Sequence, residues 1–197
     1  MNLKKYKLKD IGNIKSGGTP STKIKEYWDG EIKWITPKDL SSNKNKYISN
    51  GERNITNQGL KNSNATLLPT NTVLMSSRAP IGYLAIAKNP LTTNQGFKSI
   101  ICNKNLCDYN FIYYWLKNNI KFIKNNSNGS TFQEISGSTF KNLKIDLPNL
   151  NVQKKIAYTL SNLDSAIFNN ENINQNITIL LIFALNLIIM LLIVYFI

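Results

Sequence analysis

The hydrophobic period of this chain changes between residues 102 and 108, and that change limits the folds open to it. From Leu8 to about Ile101, short apolar runs alternate with clusters of Gly, Pro, Asn and Ser, the pattern of strands joined by turns. The strand candidates are 31–36, 72–76, 82–87 and 97–102. Residues 41–54, SSNKNKYISNGERN, form a polar stretch long enough to be a candidate recognition loop. Residues 108–124, DYNFIYYWLKNNIKFIK, take helical spacing instead, with Asp108 as cap and Phe111, Tyr114, Trp115, Leu116 and Ile120 on or near one face. That aromatic stripe predicts core packing rather than base stacking, because an amphipathic helix has to bury one face. Residues 144–147 read as a last strand stopped by Pro148, and a second helix opens at Asn151.

In this second helix Ile156, Leu160, Leu163, Ile167, Asn170, Asn174, Ile177, Leu181, Ala184, Ile188 and Leu191 follow an alternating 4-3 spacing. This is a heptad seam with two Asn positions near its middle, and it predicts a coiled-coil partner or an antiparallel helix. Beyond Ile177 the segment TILLIFALNLIIMLLIVYFI carries no charge and is apolar on every face, at a length that spans a bilayer. Two readings stay open: a membrane anchor with the basic body on the cytoplasmic side, or a truncated or frame-shifted end. The expected class is α+β, a mostly β domain with a packed helix at 1–150. A long C-terminal helix of coiled-coil type follows at 151–177, then an apolar tail at 178–197.

Charge and missing residue types narrow the chemistry. The 24 Lys and Arg against 11 Asp and Glu leave +13, with no histidine. Such an excess favours a polyanionic partner, nucleic acid or an anionic membrane, although an Asn, Lys and Ile bias also follows from AT-rich coding. Without histidine, Ser-His and Cys-His pairs and His-liganded metals are excluded. Cys102 and Cys107 lack metal-ligand spacing, and the N-terminus MNLKKYKLKDIG lacks a signal-type apolar run, so a reduced, cytoplasmic protein is expected. SGGTPST at 16–22 lacks the Gly-Lys-Ser/Thr ending of a phosphate loop and reads as a tight turn. Glu31 and Lys33, with Asp10 or Asp29, imitate a Mg²⁺-dependent nuclease site, a pattern that chance supplies in a Lys-rich chain. No catalytic residue, metal or cofactor is expected.

Seven stretches together resemble the specificity subunits of type I restriction-modification enzymes. They are SGGTPST at 16–22, WITPKDL at 34–40, ITNQGLKNS at 55–63, VLMSSRAPIG at 73–82, NQGFKSI at 94–100, GSTFQEIS at 129–136 and LPNLNVQKKIAYTLSNLD at 147–164. Their order matches one target recognition domain and the first part of a conserved helix, over residues 3–176. The resemblance implies a non-catalytic module that binds double-stranded DNA. It would position methyltransferase (modification) subunits and a nuclease-translocase (restriction) subunit on a split sequence. Family members usually carry two recognition domains separated by long ruler helices. One domain and part of one helix therefore resemble a half-subunit that pairs with a second copy or a second half-subunit, or a gene fragment. The competing classes are a membrane-tethered basic protein and an autonomous nuclease.

Within a β-rich body, polar loops reach a groove, Lys and Arg neutralise phosphates, and amide or guanidinium groups read base edges. Lys38 and Lys98 are candidate phosphate contacts, and Lys44, Lys46 and Arg53 belong to the candidate reading loop. Ser76, Ser77 and Arg78, in Ser76-Ser77-Arg78-Ala79-Pro80, are candidate DNA contacts, and Arg78 is one of only two arginines. It either bonds guanine or phosphate, or buttresses its own turn through an internal salt bridge. Asn94 and Gln95 either pair with adenine or cap a turn. The tetrapeptide Gly-Ser-Thr-Phe occurs at 129–132 and at 137–140. In the first copy Ser130 and Thr131 are candidate phosphate ligands, and Thr131 with Glu134 has capping-box spacing that predicts a helical turn. The second copy leads into the strand before the long helix. Ile156, Leu160, Leu163 and Ile167 form the candidate partner or dimer face.

Overall fold

The computed structural model describes residues 3–129 and 133–195, with side chains for 3–129 and 133–182. Ten strands and seven helices follow in the order β1 (Lys4–Lys7), α1 (Leu8–Ile11), β2 (Gly12–Lys15), β3 (Trp28–Ile35), α2 (Pro37–Ser42), β4 (Tyr47–Ile48), β5 (Arg53–Ile55), α3 (Asn57–Lys61), β6 (Val73–Met75) and β7 (Leu84–Ala87). After them come β8 (Thr92–Thr93), β9 (Ser99–Cys102), α4 (Tyr109–Asn118), α5 (Ile120–Asn125), α6 (Gly137–Asn142), β10 (Lys144–Leu147) and α7 (Leu150–Tyr195). The strands form a five-stranded sheet in the order β2-β9-β6-β7-β4, a three-stranded sheet β5-β3-β8, and a ribbon β1-β10.

Val73, Leu74 and Met75 of β6 are all fully buried, as are Ala85, Ile86 and Ala87 of β7. A strand apolar on both faces has to be covered on both. Helix α4 packs against β6 and β7. A core of Ile35, Leu40, Ile48, Leu68, Leu74, Leu91 and Phe97 joins the five-stranded sheet to the three-stranded one. A smaller cluster of Trp28, Trp34 and Ile55 fills the three-stranded sheet, the two indoles meeting edge to face at 5.0 Å.

The strand candidates match β3, β6, β7, β9 and β10, and Asp108 caps α4 by accepting from the Phe111 N–H at 3.0 Å. Three local expectations are corrected. The helix expected over 108–124 breaks at Asn119, whose side-chain amide donates to the Trp115 carbonyl at 2.8 Å and whose N–H bonds the same turn. Its buried face is centred on Ile112, Tyr113, Tyr114 and Leu116, with Phe111 and Trp115 only half-buried. The 41–54 stretch is not a bare loop: it holds the end of α2, all of β4, which pairs in parallel with β7, and the start of β5.

The second copy of the doubled tetrapeptide takes helical form. Ser136 caps α6 by accepting from Thr139 N at 3.0 Å, so the second copy forms the helical turn. Glu134, the acid of the expected first-copy capping box, exchanges backbone hydrogen bonds with Asn128; its expected cap partner Thr131, like Ser130, lies outside the described residues.

Helix α7 opens with Asn149 Oδ1 accepting from Val152 N at 3.0 Å. The chain divides into two compact units, Met1–Ala157 and Tyr158–Ile197. In the first, Gln153 and Ala157 are buried. In the second, Leu163, Ile167, Ile177 and Leu181 of the heptad seam are about half exposed or more. Among the described residues no helix is long and apolar enough to cross a membrane. Most side chains of the expected apolar tail at 178–197 lie outside those described.

Candidate functional site

The motif WITPKDL builds one wall. Trp34 is buried in β3 and donates its indole N–H to the Gly18 carbonyl at 2.9 Å, and Ile35 enters the core. Thr36 then caps α2, Pro37 takes the first helical position, and Leu40 returns to the core. Asp39 closes the cap reciprocally: its Oδ2 accepts from Thr36 N at 2.7 Å and from Thr36 Oγ1 at 2.6 Å. Its Oδ1 accepts from Glu52 N at 2.8 Å, which ties β5's approach to the helix start. SGGTPST lies against this wall as close backbone contact rather than as a phosphate cradle. Gly18 N donates to the Thr93 carbonyl at 2.9 Å, and a Cβ on Gly17 would overlap that same carbonyl.

Three further motifs converge beside it. Ser76 is fully buried, donating to the Pro80 carbonyl at 2.7 Å and accepting from Tyr83 N at 2.9 Å, so its hydroxyl closes the 76–83 turn. Ala79 at φ 53° and Gly82 at φ 106° give that turn its left-handed backbone. Ser77, also fully buried, bonds the Gly96 carbonyl through its N–H at 2.8 Å and receives Ile135 N on its carbonyl at 3.0 Å. Asn94 Oδ1 accepts from Gly96 N at 2.9 Å, a side-chain turn of the kind expected of Asn, and Gln95 Oε1 accepts from the Thr19 hydroxyl. The space over Gly96 is bounded by Asn94 Oδ1, Pro37 Cγ and Arg78 Nε.

Glu134 joins the cations of this cluster. One carboxylate oxygen lies 3.6 Å from the Arg78 guanidinium and the other 3.9 Å from Lys98 Nζ. Lys98 is 6% exposed, and its ammonium also faces Ser77 Oγ at 3.4 Å. Burial lowers the Lys98 pKa, with Glu134 opposing and Arg78 adding to the depression. Of the two open readings of Arg78, the internal ion pair is therefore formed, with both side chains still 41% exposed. An exposed guanidinium held by a half-exposed carboxylate keeps donors facing solvent for an incoming anion or base edge.

The structure brings Ser76, Ser77, Arg78, Asn94, Gln95 and Lys98 together, and places Lys38, Lys44, Lys46 and Arg53 separately on and around α2, β4 and β5. Lys38 follows Pro37 and pairs with Glu52 at 2.7 Å, a hydrogen bond that raises its pKa. The Arg53 guanidinium stacks 3.6 Å over the Trp28 ring, and Lys46 Nζ lies 4.5 Å from the centre of the Tyr114 ring. Lys44 is exposed beside a polar recess of about 350 Å³ lined by Asp39, Asn43, Asn45, Tyr47, Asn50 and Gly51. Glu31 and Lys33 lie on β3, and among the described residues no three acidic or cysteine side chains converge as a metal site.

Sequence reasoning missed two supports. By spacing Glu134 reads as a helix-cap acid, and the signal of its role is an acid inside a motif of a chain with only 11 Asp and Glu. Gln153 is fully buried within the first unit. Its Oε1 accepts from Asp108 N at 3.0 Å, and its Nε2 donates to the Leu106 and Pro148 carbonyls at 3.0 and 2.9 Å.

A family model described as type I restriction modification DNA specificity domain matches residues 2–179. The chain is 50% identical over 171 residues to the type I restriction enzyme MjaIX specificity subunit of Methanocaldococcus jannaschii, covering 86% of this chain and 39% of that one. It is 30% identical over 165 residues to the type I restriction enzyme EcoR124I/EcoR124II specificity subunit of Escherichia coli, covering 80% and 40%. The crystal structure of a type I restriction-modification system S subunit from M. genitalium shares the fold, with a TM-score of 0.61 at 21% identity over 86% of this chain and 41% of that one. The chain thus spans about two-fifths of the length of the curated relatives it matches.

Proposed function

Because the chain belongs to the type I restriction modification DNA specificity domain family, we propose that it binds double-stranded DNA sequence-specifically and does no chemistry of its own. Its role is to place methyltransferase (modification) subunits and a nuclease-translocase (restriction) subunit on one half-site. The observation that carries this reading is the Arg78 cluster. A guanidinium on a rigid, bonded turn, braced by Glu134 over the buried Lys98, stands next to the Asn94 and Gln95 amides. Bidentate donors of this kind distinguish guanine, and amides distinguish adenine, in the major groove.

Apart from the cluster, Lys38 is the candidate phosphate contact, and the 41–54 segment with Lys44, Lys46 and Arg53 is the candidate for variable base reading; the buried hydroxyl of Ser76 and the backbone of Ser77 hold the Arg78 turn. Ser130 and Thr131 keep their candidate role at the backbone. The seam of α7, with Ile156, Leu160, Leu163 and Ile167, offers an apolar face to a second copy or a second half-subunit. The test is selection of duplexes from a random-sequence pool by the full 197-residue chain. Enrichment of a short fixed sequence supports the reading. A pool that stays random, with binding that depends only on length and salt, refutes it.

A further inference from the structure

The ribbon β1-β10 carries an unexplained electrostatic cost. In its antiparallel register Lys7 stands directly opposite Lys144, and Lys5 opposite Asp146. Directly opposed residues share a face, and on the other face Ile145 and Leu147 are buried, so the lysines face solvent. Like charges directly opposed in a ladder destabilise it. One carboxylate, Asp146, shares their face opposite Lys5, and the Asp10 carboxylate accepts from the Lys7 backbone N–H at 2.8 Å. Among the described residues, no ion pair involves Lys5, Lys7, Lys9, Lys141 or Lys144.

The position of these lysines gives the cost a purpose. Helix α6 starts beside Lys98, whose Cε lies 3.8 Å from where a Gly137 side chain would begin. It then carries Lys141 on its last turn and hands the chain to β10 at Lys144. Helix α1, with Lys9, packs against α6, and Leu8 N bonds the Leu143 carbonyl at 3.0 Å. Six residues of helix span about 9 Å, which is about three base-pair steps along a duplex. The lysine face is therefore one short helix away from the Arg78 cluster.

We propose that the Lys7–Lys144 face of the ribbon, with Lys5, Lys9 and Lys141, grips the DNA backbone at phosphates flanking the base pairs read by the Arg78 cluster. The proposal rests on the DNA-binding reading and extends it to a surface that no base-reading motif contains. The ribbon adds affinity but no sequence preference, because phosphate contacts position a protein without reading sequence.

The test uses the full chain, a duplex it has selected from a random pool, and the double variant Lys7→Thr/Lys144→Thr, threonine being well suited to strands. Two lost phosphate contacts should make the slope of log K against log salt shallower by about 2 and lower affinity at 0.1 M salt by about eightfold per lysine. The preferred sequence should not change, and the melting temperature should hold or rise as the like-charge contact is removed. On a duplex trimmed at the end that the ribbon covers, wild type and variant should bind alike. An unchanged slope and affinity, or the same loss on every trimmed duplex, overturns the ribbon proposal while leaving sequence recognition standing. Failure of the wild type to select any sequence overturns the DNA-binding reading, and the ribbon proposal with it.

Discussion

Replacing Gln153 should destabilise the first unit far more than a surface-helix substitution, although the residue touches no proposed DNA contact. Its amide makes three hydrogen bonds, to Asp108 N, the Leu106 carbonyl and the Pro148 carbonyl, and is fully buried. These join the start of α4, the 103–107 turn and the entry to α7. At about 1 kcal/mol net per hydrogen bond, with the three backbone groups left dry, Gln153→Ala should cost about 3 to 4 kcal/mol. Gln153→Glu keeps the acceptor for Asp108 N but turns a carboxylate oxygen toward two carbonyls. Those carbonyls and burial would raise the folded-state pKa above the unfolded value of about 4.3. A carboxyl with a raised folded pKa binds more protons when folded, so its stability deficit is smallest below that unfolded value and grows as pH rises toward the folded one. Urea unfolding at pH 4 and pH 7, with each variant compared with wild type at the same pH, measures both effects. A cost under about 0.5 kcal/mol for Gln153→Ala, the range of ordinary surface changes, would refute the reasoning. So would a Gln153→Glu deficit equal at the two pH values.

Lys98→Met should leave stability unchanged or raise it, because a buried ammonium with a burial-lowered pKa is replaced by an apolar chain of similar length. The wild-type penalty should ease as pH rises toward 10.5, where the unfolded lysine also loses its proton, and the variant should lack that rise. Its DNA affinity should nevertheless fall, since Glu134 then holds Arg78 without the opposing cation; thermal melts and duplex titrations check the two sides. Asp39→Ala removes the reciprocal cap of α2 and the bond to Glu52 N. It should lower stability by about 1 to 2 kcal/mol in urea unfolding.

The sheet framework was legible because its strands are short apolar runs bounded by turn residues, and WITPKDL and NQGFKSI each carry their own cap or turn chemistry. Asp108 and Pro148 marked a helix start and a strand end for the same local reason. What was not legible depended on partners distant in sequence. Asn119 ends α4 by turning its amide back on the helix, which spacing alone does not reveal. Residues 47 and 48 look like loop until β7 supplies a parallel neighbour. Glu134 fits a capping box by spacing, yet pairs with Arg78 and Lys98, respectively 56 and 36 positions earlier in the chain. As polar groups in a motif Ser76 and Ser77 read as candidate DNA contacts, and only the tertiary fold buries both completely.

Whether Arg78 reads a base from its braced turn is decided by comparing wild type with Arg78→Lys on the selected duplex and on its single-base-pair variants. Lysine keeps the charge and loses the planar fork. The expected loss is about 1 to 3 kcal/mol confined to one base-pair position, with discrimination there relaxed and the salt slope unchanged. A uniform loss across all duplexes, with discrimination at every position retained, would make Arg78 a phosphate contact or a brace and contradict the account.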